Sequence, residues 1–448
     1  MKLKRRDLEP PLSLIKPKSG FFSEIYKMKF ARVPLEITHL INPENLSDLL
    51  SEYSYGVLFN KTEKGWNTGI IAAFSNEKRS SDFDHSLRNN NGERFEFMFG
   101  HIGYNFKKFT EHVSCRFDNF DGFPDHAFFV PQILIRRNEE NSVEIGYTTE
   151  EQFKLFTERI KHLKSDDTPN GKILLNAHLS KEAYIKKTHD LLRHIQRGDI
   201  YEVNFCQGFS AQSKVFNPAK AYLKLIGFTD APFGALYKHE DSWLICGSPE
   251  RYISRTGDTI ISQPIKGTRK RSADPCDDEQ LKEELKNDPK ERSENVMIVD
   301  LVRNDLSRFA LPGSVEVSEL FGIYTFKTVH QMISTVRCKV SSETTNAEIF
   351  LKTFPMGSMT GAPKRRAIEL AEQCETQSRG IYSGTVGVIS PDGDFDFNVV
   401  IRSITWNAKT GYLSVMAGSA ITSLSVPETE YEECMLKLEA MKRVIESA

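Results

Sequence analysis

The apolar positions of this chain follow two patterns. Between residues 30 and 160 they come in short aromatic or β-branched runs bounded by turn residues: YGVLFN (55–60), GIIAAF (69–74), ERFEFMFG (93–100), HAFFVPQILIRR (126–137) and VEIGY (143–147). Such runs predict strands. From Ser180 onward helical periods join them. Tyr184, Leu191, Leu192 and Ile195 recur at helical spacing between a Ser180 cap and Gly198. WLICGS (243–248), RYISRTG (251–257) and DTIISQPIKG (258–267) read as consecutive strands with a tight Gly-Asp turn. Helices are expected over 277–288 and 291–309, with Pro289 just ahead of the second, and over 360–373 after a glycine-containing turn. TVGVIS (385–390), FDFNVVIRSITW (395–406) and YLSVMAGSA (412–420) read as a strand meander. A helix over 425–445 closes the chain, with Ser425-x-x-Glu428 as a capping box and Pro427 in its first turn. The polar stretch 164–172 has linker composition and sets a boundary near 165–180. The expected organisation is a poorly structured extension over 1–27, a strand-rich region over 28–170 and a larger unit over 175–448.

Composition narrows the function classes. The 448 residues carry 59 Lys and Arg against 61 Asp and Glu, a net charge of −2. That balance argues against nucleic acid or a membrane surface as partner. No run of 18 apolar residues is present, so no membrane-spanning segment is expected. Residues 1–27 lack the apolar core of a secretory signal. Seven scattered Cys without a CxxC pair fit a reducing, cytoplasmic setting.

Carboxylates on apolar helix faces are the first chemical signal. At 100° per residue, Glu291, Glu294, Ile298, Leu301 and Asp305 share a stripe of about 80°. In the last helix Glu430, Glu433 and Lys437 lie within about 60° of each other, beside Tyr431, Cys434, Met435 and Leu438. Carboxylates in an apolar stripe are costly unless compensated. Two helices, each offering Glu at i and i+3, would clamp one hard divalent cation, and Mg²⁺ suits few carboxylates with room for water and substrate. The plain alternative is solvated Glu near helix N-termini, where the dipole favours them.

Lys266 in PIKGT (264–268) sits between an apolar strand and a glycine, usually a solvated turn position. Arg269, Lys270 and Arg271 follow at once, and adjacent cations with some desolvation would lower its pKa and free a nucleophilic amine. Arg402 interrupts an apolar strand, and a buried Arg normally meets a carboxylate, its own or a substrate's. The glycines of GIYSG (380–384) and AGSA (417–420), and the turn TGAPK, allow backbone amides to approach an anion.

Nine ordered segments carry a resemblance: GDIYEVNFCQ (198–207), GSPERYI (247–253), PIKGTRKR (264–271), ERSENVMIVDLVRNDLSR (291–308), VHQMISTV (329–336), FPMGSMTGAPK (354–364), RGIYSGTVG (379–387), FNVVIRS (397–403) and SVPETEYEECMLK (425–437). Together they resemble the chorismate-utilising enzymes, over about 180–448. The resemblance implies an α+β fold of two large antiparallel sheets packed face to face with flanking helices, and Mg²⁺-dependent chemistry on chorismate. It implies Glu294 and Glu433 as metal ligands, supported by Glu291 and Glu430. Tyr382 and Arg402 match residues that bind the enolpyruvyl carboxylate, Gly418 and Lys437 contacts to the substrate's carboxylates, and His330 and Thr360 pocket residues beside the ring. Glu250 matches the general acid at the C4 hydroxyl.

Within the family, PIKGT looks like the aminodeoxychorismate synthases of 4-aminobenzoate and folate biosynthesis, whereas PIAGT or PLAGT marks anthranilate and isochorismate members. The implied mechanism has Lys266 attack C2 as the C4 hydroxyl leaves, after which ammonia adds at C4. No glutaminase nucleophile elbow is found, so ammonia from solution or from a separate glutaminase subunit is implied. Glu202 stands where water-adding members carry Lys and amine-adding members often carry Gln. AGSA replaces the common AGAG. The alternatives are an anthranilate synthase component I, and a non-catalytic paralogue that binds chorismate or a glutaminase without turnover.

Overall fold

In a computed structural model of the chain, the described residues are 28–446 apart from 61–64, 67–68, 78–82, 84–86, 88–95, 138–141 and 164–172. The expected extension over 1–27 and linker over 164–172 lie outside them.

Two antiparallel sheets form the body. The larger has 12 described strands, in the order Lys29–Arg32, Val143–Tyr147, Ile133–Arg137, Ile70–Ser75, Tyr55–Phe59, Phe233–His239, Ser242–Ser248, Ser403–Asn407, Tyr412–Ile421, Glu202–Gln212 and Gly361–Ala362, with Asn176–Ala177 also against Glu202–Gln212. The smaller runs Ile265–Lys270, Val329–Lys339, Thr259–Gln263, Arg251–Thr256, Phe395–Asn398, Thr385–Ile389, Met98–Ile102 and His126–Phe129, with Glu316–Thr325 on the free side of Val329–Lys339.

The sheets pack face to face through one apolar cluster. Val57, Phe59, Ala235, Tyr237 and Leu244 come from the larger sheet, and Phe99, Phe129, Val386 and Val388 from the smaller. Helices Lys181–Gln196, Pro218–Thr229 and Pro427–Glu446 cover the outer face of the larger sheet. Helices Pro289–Ser307 and Asn346–Thr353 cover the smaller. Strands covered on both faces lose polar alternation. Phe233–His239 and Ser242–Ser248 are accordingly buried at every position.

Region 28–170 is strand-rich. Met98–Ile102 and His126–Phe129 join the smaller sheet and its other strands the larger. Composition marks where the chain turns, not which edges pair. Three predicted single strands are each two. HAFFVPQILIRR divides around Pro131 and DTIISQPIKG at Pro264, where proline has no N–H for a ladder. FDFNVVIRSITW divides between Asn398 and Ser403, where the chain leaves one sheet for the other, and Arg402 sits there at φ 52°. The capping box is absent. The Ser425 hydroxyl accepts from the Thr422 N–H at 3.1 Å and donates to Ala420 O at 3.4 Å, and the helix starts at Pro427. Among the described residues no helix is long and apolar enough to cross a membrane, and all seven cysteines are free.

Candidate active site

Lys266 sits at a break in register. Strand Ile265–Lys270 pairs Ile265 with Ile333 and Thr268 with Gln331, so one extra residue bulges between them. A bulge re-aims a side chain. Gly267 follows at φ 94°, and a Cβ there would lie 3.0 Å from Leu285 and 3.3 Å from Glu291. The missing side chain lets the start of helix Pro289–Ser307 close on the bulge. The Lys266 Nζ donates to Glu202 Oε1 at 2.8 Å, with Glu202 only 2% exposed. This corrects the expectation of a lowered lysine pKa. Burial does push the ammonium down, but the Glu202, Glu294 and Glu433 carboxylates outweigh it and the pKa rises. The adjacent arginines point elsewhere, Arg269 to Asp288 and Glu291, Arg271 to Asp278.

The predicted carboxylate stripe faces inward. Glu294, Ile298 and Asp305 are buried, although Asp305 pairs with Lys364 at 2.7 Å, further along the helix. Burial pushes the Glu294 carboxyl up to about 7 against the pull of Lys266 and Lys290, and its buried Oε1 has no hydrogen-bond partner. From the facing helix, Glu430 is buried and Glu433 pairs with Lys437 at 2.6 Å. Burial raises the Glu433 carboxyl, but Lys437, Lys290 and Lys266 together outweigh it and hold it below the ordinary range. Glu291 pairs with Arg269 at 3.3 Å. Among the described residues no three His, Cys, Asp or Glu side chains come together as a ready metal cage. The donors still fit Mg²⁺ chemically: hard carboxylate oxygens, one of them buried without a hydrogen-bond partner, at a site where water and substrate would supply the rest.

Glu250 shares this site. Burial pushes its carboxyl up to about 7, while the Ser358 hydroxyl, Lys266 and the Ile265 N–H hold it lower than burial alone would. The folded pKa lies above the unfolded one, so this group's contribution to stability is fully present below pH about 4.5 and lost as pH rises through about 7, about 3 kcal/mol in all. Glu250→Gln cannot ionise, so its melting temperature relative to wild type should rise between pH 5 and pH 8. A pH-independent difference in melting would contradict the assignment of a protonated Glu250.

Arg402 forms no ion pair with any carboxylate among the described residues. Burial lowers its pKa, while Tyr382 and Glu433 hold it up. The Tyr382 hydroxyl is buried and its pKa rises well above the ordinary value, beside Cys206, Arg379 and Arg402. Gly418 pairs with Cys206 across the ladder, and a Cβ on it would meet the Cys206 Sγ at 2.5 Å. Its carbonyl accepts from Lys437 Nζ at 3.0 Å, so that amine bridges Gly418 and Glu433.

Two further matched residues have their polar side chains engaged within the fold. His330 is fully buried, and both ring nitrogens are engaged, one with Thr325 at 3.0 Å and one with Asp278 at 2.9 Å. The Thr360 hydroxyl donates within its own turn, to the carbonyls of Met356 and Gly357, while its carbonyl accepts from the Asn204 N–H at 2.8 Å. Sequence reasoning missed the buried pair beneath the site. Arg379 binds Glu375 at 2.6 Å, and also donates to Met359 O, Asn204 O and Ser383 Oγ. It thereby joins the segments carrying Thr360, Glu202 and Tyr382. Its only signal was an i, i+4 charge pair, which normally marks a solvated helix face.

A family model described as "chorismate binding enzyme" matches residues 54–443. The chain belongs to the chorismate-binding enzyme family. Among curated members, an Oryza sativa subsp. japonica protein named "Probable aminodeoxychorismate synthase, chloroplastic" is 41% identical over 270 residues, 60% of this chain and 30% of that protein. The aminodeoxychorismate synthase component 1 of Klebsiella aerogenes is 34% identical over 349 residues, 78% of this chain and 77% of that one. The chain therefore spans less than a third of the rice protein's length but most of the bacterial one's. A crystal structure of anthranilate synthase component I from Streptococcus pneumoniae TIGR4 superposes with a TM-score of 0.72 at 22% identity, covering 96% of this chain and 95% of that one. The fold of this chorismate-binding enzyme is thus that of two packed antiparallel sheets with flanking helices.

Proposed function

We propose that the chain acts as an aminodeoxychorismate synthase component I, converting chorismate and ammonia into 4-amino-4-deoxychorismate and water. One observation carries this reading: a buried lysine amine, Lys266, beside a buried carboxylate that accepts its hydrogen bond and a second buried carboxyl, Glu250, that burial pushes up to about 7. Glu294 and Glu433, supported by Glu291 and Glu430, would hold Mg²⁺. When bound, the ion supplies positive charge for the substrate's ring carboxylate. Arg402 and Tyr382 bind the enolpyruvyl carboxylate, with Gly418 and Lys437 closing the carboxylate side.

The Lys266 ammonium passes a proton to Glu202, 2.8 Å away. The neutral amine forms a bond to C2, the two ring double bonds shift, and the C4–O bond breaks as Glu250 protonates the departing hydroxyl. Ammonia then bonds to C4, the double bonds shift back and the C2–N bond to Lys266 breaks. The new ammonium returns a proton to Glu250, and Glu202 returns one to Lys266. A tethered nucleophile gains from high effective molarity at C2. A glutaminase subunit supplies ammonia in this reading, and the free cysteines fit a cytoplasmic setting.

The test is product identity by chromatography with chorismate, ammonium and Mg²⁺. Accumulated 4-amino-4-deoxychorismate supports the reading. Direct appearance of fluorescent anthranilate favours the anthranilate synthase alternative, and chorismate binding without product the non-catalytic one.

A further inference from the structure

Five carboxylates of this site each face a cation of the chain itself. Glu202 has Lys266, Glu433 has Lys437 and Glu291 has Arg269. Glu294 and Glu430 share Lys290, whose Nζ lies 3.9 Å from Glu294 Oε1 and 3.7 Å from Glu430 Oε1. The two helices meet through that one ammonium. Its charge interacts most with Glu430, then Glu294, Glu433 and Glu291, which are the four carboxylates assigned above to the metal.

The contact is loose. Neither distance is that of a direct hydrogen bond, and the Lys290 side chain is 41% exposed. The carboxylates it touches are far more buried, at 11% for Glu294 and 2% for Glu430. A long, exposed stem is free to withdraw its head into solvent. A divalent ion on Glu294 would sit about 2.1 Å from its oxygen, within the same few ångströms as the ammonium. Two cations so close repel strongly at a poorly solvated site.

We propose that Lys290 is a built-in competitor for the divalent cation: it neutralises Glu294 and Glu430 itself, swings into solvent when the ion binds, and so sets the metal affinity. This inference rests on the metal reading given under the proposed function. It makes Lys290 an affinity-determining residue rather than a catalytic one, because it acts on the carboxylates and touches no reacting atom.

The test measures Mn²⁺ binding to the full chain, by loss of the free-ion paramagnetic resonance signal, without substrate. Lys290→Met should bind Mn²⁺ at least tenfold more tightly than wild type. Lys290→Arg, which keeps the charge, should stay within threefold of it. In EDTA the Met variant should melt below wild type, because Glu294 and Glu430 then lose the cation they share, and Mn²⁺ should reverse the order. Lys290→Gln serves the same purpose where the Met variant does not fold. Equal or weaker Mn²⁺ binding in the neutral variants overturns the proposal. Glu294→Gln separates the two levels. If it loses Mn²⁺ while Lys290→Met is unchanged, only the competitor role falls. If Glu294→Gln binds as wild type does, the metal reading falls and this inference with it.

Discussion

Lys266→Ala is expected to lower aminodeoxychorismate formation about 10³-fold or more while chorismate still binds with near wild-type affinity. The split follows from where the lysine sits. Its amine reaches Glu202 from a bulge, whereas the groups proposed to bind the anion lie elsewhere: Arg402 on the segment that passes between the sheets, Tyr382 in the turn before Thr385–Ile389 and Gly418 on strand Tyr412–Ile421. Removing the amine deletes the nucleophile and leaves the carboxylate contacts in place. Steady-state turnover with ammonium as nitrogen source, beside calorimetric titration with chorismate, measures both halves. Lys266 is tied to Glu202, which the variant leaves buried and unpaired, at a cost of about 3–5 kcal/mol. Wild-type turnover by the variant would show that ammonia reaches C4 without a covalent relay.

Glu433→Gln carries the second large effect. Activity should fall about 10²- to 10³-fold, and the dependence of the residual rate on Mg²⁺ should flatten. Glu433 is the most exposed member of the acidic group, and Lys437 helps hold its carboxylate ionised. It is therefore ready to take a cation at neutral pH, whereas Glu294 must first lose the proton that burial favours. Titration of wild type and variant with Mg²⁺, read by initial rate, tests this. A variant with an unchanged titration midpoint and amplitude would remove Glu433 from the metal site.

What the sequence made legible was mostly what periodicity encodes. Glu291 and Glu294 fall on one helical stripe with Ile298 because 3.6-residue spacing is visible in any single chain, and the inward face follows. Arg402 stood out because a charge inside NVVIRSI is costly without an anion. Its exact setting did not. A non-glycine residue at φ 52° where the chain changes sheets has no signature in an apolar run, so one strand was expected where there are two. The charge state of Lys266 was read backwards for a related reason. Neighbours in sequence, Arg269 and Arg271, turned out to be committed to Asp288 and Asp278, while its true neighbour Glu202 lies 64 residues earlier in the chain. Long-range pairs of this kind, like Arg379 with Asn204, depend on strand order, which composition does not reveal.

In the proposed reaction Lys266, paired in the resting protein with Glu202, bonds to the substrate ring. Intact-protein mass spectrometry under ammonia-limited turnover measures that bond directly. The account predicts a mass increase equal to chorismate less one water, localised to Lys266 by peptide mapping and absent in Lys266→Ala. Active enzyme that never carries such an adduct, at any ammonia concentration, would contradict it.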